Sequence, residues 1–155
     1  MALVLRQLLA MVPEPQRLVN RKNIYDWTPL HILANGGARP EARAGMISQL
    51  CQAKADVEAT KRNGTTPLMV AAATSQFLPA EALMHNGADP NNCVADGATC
   101  LDLAWNNRQM QELLTTTAAR LGAGASGSGR QRAYTRIYTD ACGEKPALWW
   151  ARLYG

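Results

Sequence analysis

Three copies of a six-residue motif, held in a fixed register, limit the architectures open to this chain of 155 residues. The copies are DWTPLH at residues 26–31, GTTPLM at residues 64–69 and GATCLD at residues 97–102. Nine residues before the threonines at 28, 66 and 99 stand the pairs Val-Asn, Val-Glu and Pro-Asn. Two landmarks that recur together indicate stacked structural repeats, in which each unit buries the apolar face of its neighbour.

Each motif has the chemistry of a turn followed by a helix start. Threonine is an accepted N-cap residue, and proline at the first helical position has no N–H to leave unsatisfied. Gly64 and Gly97 stand where a tight turn needs positive φ, and Asp26 takes that place in the first copy because aspartate tolerates left-handed geometry. Leucine after the threonine and small alanines further on are expected to face a helical core. The predicted finger-like turns cover residues 23–27, 61–65 and 94–98, and the predicted helices cover residues 3–12, 28–35, 40–53, 66–74, 79–86, 99–106 and 108–115.

These motifs closely resemble the ankyrin-repeat family, whose repeat of about 33 residues carries a Thr-Pro-Leu-His signature. The resemblance covers residues 3–114 and implies an all-α solenoid of stacked helix-turn-helix units with short β-turn fingers. The first spacing departs from the family, since it is 38 residues long with the extra length around residues 36–45. Cys100 and Asp102 replace the proline and histidine of the third copy, as a terminal repeat permits because nothing stacks on its outer side.

The repeat register predicts an ankyrin-repeat domain over residues 1–115. A partial leading repeat (1–22) precedes repeats at 23–58, 59–92 and 93–115. About three and a half repeats are near the minimum for a stable stack, so a longer parent protein stays an open alternative. Residues 116–129 are interpreted as a flexible linker, and residues 130–155 as a basic-aromatic tail that is disordered or weakly docked.

The charge distribution bears on nucleic-acid binding. Residues 1–115 contain ten basic and ten acidic side chains, whereas residues 116–155 contain six basic and two acidic ones. The neutral repeat region argues against nucleic-acid recognition by the repeats, and the tail keeps it as an alternative. Four cysteines without a Cys-x-x-Cys pair indicate reduced thiols in a cytoplasmic or nuclear protein. The apolar start is too short to cross a bilayer, so no membrane role is predicted.

No arrangement of residues predicts an enzyme. His31 and Cys51 could form a nucleophile pair, but the resemblance implies that His31 is the signature histidine, which hydrogen-bonds the backbone. His85 with Cys51 or Cys93 has no metal-ligand spacing. Residues 122–129 are glycine-rich but lack the lysine of a phosphate-binding loop. The sequence therefore predicts neither a cofactor nor a metal site.

The resemblance implies a monomeric module that recognises a protein or peptide on its concave face and finger tips, in a signalling or scaffold role. A regulatory or targeting segment of a larger enzyme-containing chain is the main rival interpretation. Aromatic anchors dominate interface energetics, so Tyr25 and Trp27 are expected to contribute most, although Trp27 could instead pack near Leu18. The variable positions of the family give these candidate contact residues: Ile24, Tyr25, Trp27, Asn35, Arg62, Asn63, Thr65, Thr74, Asp96 and Asn106.

Overall fold

The structure, a computed structural model, describes residues 2–37, 39–92, 94 and 97–124. These residues form eight α-helices and no strand of a β-sheet, in agreement with the all-α class predicted from the sequence. In chain order the helices are α1 (Ala2–Met11), α2 (Pro15–Val19), α3 (Pro29–Asn35), α4 (Pro40–Gln52), α5 (Pro67–Ala73), α6 (Phe77–His85), α7 (Cys100–Leu103) and α8 (Arg108–Gly124).

Six of the helices pack in two rows. In one row α3 packs on α5 and α5 packs on α7, so the first helices of successive repeats are neighbours. In the other row α1 packs on α4 and α4 packs on α6. Contacts of α3 with α4 and of α5 with α6 close each repeat as a helix pair. This is the stacked arrangement that the repeat spacing predicted, with α1 as the second helix of the incomplete leading repeat.

Three turns, which we call finger 1 (residues 23–27), finger 2 (residues 61–65) and finger 3 (residues 94–98), connect the repeats. In each finger the first residue donates its backbone N–H to the carbonyl of the fifth at 3.0 Å. The fourth residue has φ of +60° at Asp26, +81° at Gly64 and +88° at Gly97. The substitution of aspartate for glycine in finger 1 therefore preserves the left-handed turn, as the sequence predicted.

The threonines of the motifs are the N-caps of α3, α5 and α7, as predicted. Thr66 Oγ1 accepts the N–H of Met69 at 3.4 Å, and Thr99 Oγ1 accepts the N–H of Asp102 at 3.3 Å. Asp102 Oδ2 in turn accepts the N–H of Thr99 at 2.8 Å. The aspartate that replaces the signature histidine thus closes a capping box and stabilises the short α7.

Leucines and alanines of the motifs form much of the core. The row of α1, α4 and α6 also contributes, with Ile47 of α4 and Leu83 of α6 fully buried. Alanine at several positions lets adjacent helix backbones approach closely. The motif residues that the sequence predicted to face inward are buried, and these are Leu30, Ala34, Leu68, Ala71, Ala72 and Leu101.

The structure differs from the sequence prediction by more than one residue at four places. The helix α2 was not expected, although Pro15 at its first position suits a helix start. α6 begins two residues before Pro79, because the first four N–H groups of a helix have no intrahelical partner and proline can occupy the third position. α7 ends at residue 103 instead of 106. The linker predicted to begin at residue 116 is wrong up to residue 124, since α8 continues through the helix-favouring run Ala-Ala-Arg-Leu at 118–121.

The repeats lie in one compact unit, residues 1–118. The last part of the predicted linker and the basic-aromatic tail at 130–155 lie outside the described residues. The predicted repeat boundaries stay a prediction.

Candidate functional site

An open groove of about 330 Å³ lies between fingers 1 and 2. Its two turns are held side by side by the stacking of α3 on α5. Five of its seven lining residues are candidates named from the sequence, and the structure brings them together at one place. The lining residues are Ile24, Tyr25, Asp26, Trp27, Lys61, Arg62 and Asn63.

Two large apolar side chains project from the tip of finger 1. Ile24 is 83% exposed and Tyr25 is 71% exposed. Their backbone is nevertheless fixed, because Asn23 Oδ1 accepts the N–H of Tyr25 at 2.9 Å and the N–H of Trp27 at 3.0 Å. Apolar side chains that are exposed on a fixed turn contribute little to the stability of the fold. Exposed apolar side chains of this kind are typical of residues that anchor a protein interface.

Trp27 lies deeper in the groove and is only partly exposed. The ammonium of Lys61 stands 4.4 Å from the centroid of its ring, which is cation–π geometry. The imidazole of His31 is tilted by 56° to the indole plane, with 6.2 Å between ring centroids. Trp27 therefore joins the two fingers, and its packing near Leu18 stays a hypothesis.

His31 is fully buried, and its imidazole links α3, the Thr28 N-cap and finger 2. Its Nε2 lies 3.0 Å from the carbonyl oxygen of Thr65 in finger 2, and its Nδ1 lies 3.3 Å from the backbone nitrogen of Thr28. A neutral imidazole protonated at Nε2 satisfies both contacts, since Nε2–H donates and Nδ1 accepts. Burial lowers the pKa of His31, and the positive charges of Lys61 and Lys22 lower it further against the opposing effect of the Thr65 carbonyl.

The polar edge of the groove is basic. Arg62 Nε donates to Asp26 Oδ2 at 2.6 Å across the two fingers, although the Arg62 side chain is 87% exposed. Lys22, just before finger 1, donates its ammonium to the carbonyl of Thr60 at 2.6 Å. Burial lowers the pKa of Lys61. The groove thus combines an apolar tip, an aromatic floor and fixed cations.

Comparison with known families agrees with this geometry. The family described as "Ankyrin repeats (3 copies)" matches residues 3–94 of the chain. The chain belongs to the ankyrin-repeat family. It is also 36% identical over 90 residues to the protein named NF-kappa-B inhibitor delta of Mus musculus, an alignment that covers 58% of this chain. The ankyrin chain spans 27% of the length of that relative.

The other candidate residues of this ankyrin module lie outside the groove or serve the frame. Asn63 Oδ1 accepts the N–H of Thr65 at 3.2 Å and its hydroxyl at 2.7 Å, and Thr65 is buried. The hydroxyl of Thr74 donates to the carbonyl of Val70 at 2.8 Å. Thr65 and Thr74 thus have structural contacts that occupy their side chains, which the sequence prediction of contact residues did not anticipate.

Asn35 and Asn106 are exposed, but neither lines the groove. Asp96 lies outside the described residues. A role for any of these side chains in partner binding stays a prediction.

Sequence reasoning missed Lys61 as part of the ankyrin groove. It occupies in finger 2 the position that Asn23 occupies in finger 1, 38 residues earlier. Adjacent fingers of stacked repeats lie side by side, so this register was a usable signal. That the ammonium would lie over Trp27 depends on the rotamers of both side chains, which no sequence pattern fixes.

The thiols and helices of the described part carry no reactive or membrane-spanning feature. Burial raises the pKa of the Cys51 thiol, and burial together with nearby carboxylates raises the pKa of Cys100 to about 12, so neither is a nucleophilic thiolate at neutral pH. Within the described residues no group of three His, Cys, Asp or Glu side chains could hold a metal ion. No helix among them is both long and apolar enough to cross a membrane.

Proposed function

We propose that this ankyrin module binds a protein or peptide non-covalently, with the groove between fingers 1 and 2 at the centre of the contact surface. The observation that carries the proposal is the exposure of Ile24 and Tyr25 on a turn whose backbone is fixed by Asn23. Ankyrin repeats are generally protein–protein interaction modules, and the family match supports this general role. The exposed residues of the groove support fingers 1 and 2 as its location.

The mechanism is rigid presentation. The backbone bond that closes finger 1, from Asn23 to Trp27, also exists in finger 2, so partner binding orders little main chain. The gain comes from covering the apolar tip. Full burial of a side chain as large as isoleucine is worth roughly 1.5–3 kcal/mol, which makes Ile24 and Tyr25 the expected anchors.

The test is affinity capture from a cell lysate with two matched variants. Ile24→Ala/Tyr25→Ala removes the exposed tip and leaves Trp27, which supports the frame, in place. Leu8→Ala/Met11→Ala removes two other exposed apolar side chains, from α1, as the control. We expect a protein that is captured by the wild type and the control but lost with the finger variant. Both variants must keep the helicity and the Tm of the wild type; identical capture by all three proteins contradicts the proposal.

The relative also suggests which purified partner to try first. Its name describes an inhibitor of NF-kappa-B, and 36% identity over 90 residues favours a shared partner class. We therefore infer that an NF-kappa-B protein is the first candidate for this module. Calorimetric titration with and without Ile24→Ala/Tyr25→Ala measures it directly, and an NF-kappa-B protein that gives no binding heat with the wild type at several temperatures removes that candidate.

A further inference from the structure

We propose that the groove between fingers 1 and 2 selects acidic peptide segments in which an aliphatic or aromatic residue is flanked by aspartate or glutamate. This inference rests on the proposed function and specifies the chemistry of its partner. The supporting observations are the positive charge at the groove, the neutral groups that contact the lysines, and the position of this charge beside the apolar tip of finger 1.

The two fingers and the residues next to them carry an excess of positive charge. Residues 21–27 and 60–63 contain four basic side chains, namely Arg21, Lys22, Lys61 and Arg62. The same segments contain one carboxylate, Asp26, and Arg62 already pairs with it. The repeat region as a whole is balanced, so this local excess is not a general property of the surface.

Two of these cations are held by neutral groups. Lys22 donates to the carbonyl of Thr60 at 2.6 Å, and Lys61 stands over the ring of Trp27. Among residues 2–37 and 39–92 no carboxylate lies within ion-pair distance of either ammonium. Both side chains are therefore positioned in advance, while their charges remain to be compensated. A carboxylate from a partner supplies that compensation without first ordering a flexible lysine.

The cation and the apolar tip belong to one groove. Lys61, Ile24 and Tyr25 all line it, so a single short segment can contact them together. An aliphatic or aromatic side chain covers the tip, and an adjacent carboxylate meets Lys61. Burial lowers the pKa of Lys61, and a neighbouring carboxylate opposes that shift by favouring the charged form.

The extent of the positive charge favours a peptide over a nucleic acid. A nucleic-acid strand carries a long regular row of phosphates, and affinity for it grows with the number of basic contacts along the row. Within residues 1–115 the local excess at this groove lies on two adjacent fingers and the residues next to them. In finger 3 the sequence has no basic residue, and it places Asp96 there. A short anionic segment with an apolar centre matches this small area.

The experiment is an array of synthetic decapeptides with Leu, Ile, Phe or Tyr at the centre. One set is flanked by Asp and Glu, a second by the isosteric Asn and Gln, and a third by Lys and Arg. We expect the acidic set to bind best, and the preference to weaken as salt is raised because the contacts are partly exposed. Equal binding of the acidic and amide sets overturns the inference.

Variants locate the preference. Lys22→Gln/Lys61→Gln is expected to weaken the best acidic decapeptide about threefold to tenfold, the size expected for two partly exposed ion pairs. Lys54→Gln/Arg108→Gln removes two exposed cations elsewhere and should leave the affinity unchanged, and Lys61→Arg should retain it. Wild-type affinity in the Lys22/Lys61 variant contradicts the inference, provided that its helicity and Tm match the wild type.

Two further measurements distinguish the acidic-peptide proposal from nucleic-acid binding and from the more general proposed function. A ten-nucleotide oligothymidine that binds at these lysines as tightly as the acidic peptide overturns selection of a peptide. If the partner captured above is lost with Ile24→Ala/Tyr25→Ala but retained with Lys22→Gln/Lys61→Gln, the proposed function stands and the acidic preference fails. Retention of the partner by both variants refutes the proposed function itself.

Discussion

Replacing His31 by methionine tests how strongly the two fingers depend on one buried side chain. Methionine already occupies this position in the second repeat, where the N–H of Thr66 lies 3.5 Å from Met69 Sδ. The helix cap should therefore survive in the variant. What is lost is the bond from His31 Nε2 to the Thr65 carbonyl, 3.0 Å long and fully enclosed. A buried acceptor left without its donor costs about 1–3 kcal/mol, and we expect that loss of unfolding free energy.

The same variant should also remove a pH dependence. Burial holds the pKa of His31 below its ordinary value of 6.5, so the unfolded chain binds a proton more readily than the folded one. The stability that the neutral imidazole contributes is complete above pH 6.5 and is lost as the pH falls towards the folded pKa. The slope for one group is at most about 1.4 kcal/mol per pH unit.

Urea denaturation followed by circular dichroism at several pH values between 5 and 8 measures both effects. The quantity to compare is the difference in unfolding free energy between wild type and His31→Met, which should shrink as the pH falls. His85→Gln, a change at an exposed histidine on α6, is the control and should parallel the wild type. A difference that is independent of pH, or that grows on acidification, would refute the assignment of a neutral His31 as the bridge between fingers.

Three other changes follow from contacts between repeats. Glu58→Gln should leave stability unchanged or raise it slightly in chemical denaturation at pH 7, because burial raises the pKa of the Glu58 carboxyl and an amide oxygen can accept the same backbone bond. Glu58 accepts the N–H of Asp89 at 2.8 Å, and in the preceding repeat the amide oxygen of Asn20 accepts the N–H of Asp56 at 2.7 Å. Asp26→Gly should change the unfolding free energy by less than about 1 kcal/mol, since glycine favours φ of +60° while the exposed pair with Arg62 contributes little. Arg43→Leu should lower the unfolding free energy by about 2–4 kcal/mol in the same assay. The buried guanidinium of Arg43 donates to the carbonyl of Leu33 at 3.0 Å and to the side chain of Gln76 in the next repeat at 2.6 Å. A loss below about 1 kcal/mol would contradict that role.

The frame of the molecule was predictable because its determinants are local. A threonine cap, a proline at the first helical position and a residue that tolerates positive φ act within a few positions of one another, so each motif specifies its turn and helix start. The role of His31 was different in kind, because it was implied by the family resemblance and its Nε2 contacts the carbonyl of Thr65 in the next finger. Helix ends were less predictable: α8 continues past residue 116 because the alanines that follow favour a helix, whereas the prediction was based on the glycines beyond them.

The candidate site was predictable only in part, because residues of the fingers serve two different purposes. Thr65 was expected to face a partner, but its hydroxyl bonds to Asn63 and its carbonyl accepts from His31. Membership of a finger did not separate Thr65, the buried fifth residue of finger 2, from Tyr25, the exposed third residue of finger 1. The difference arises from tertiary contacts between successive repeats, which depend on the side chains of both.

The residues that hold each finger together differ from the residues that are exposed at its tip. This difference explains why the repeat pattern predicts the fold but does not identify the partner. Backbone bonds close each finger whatever side chains stand at its tip, so Ile24 and Tyr25 are not required to hold finger 1 together. The fold therefore places few constraints on the residue types at the tip. Its stability does not explain why an exposed isoleucine and an exposed tyrosine stand there at adjacent positions. The lysine held over Trp27 strengthens that argument, because it places a positive charge beside the apolar tip. Recognition of a partner accounts for both features together.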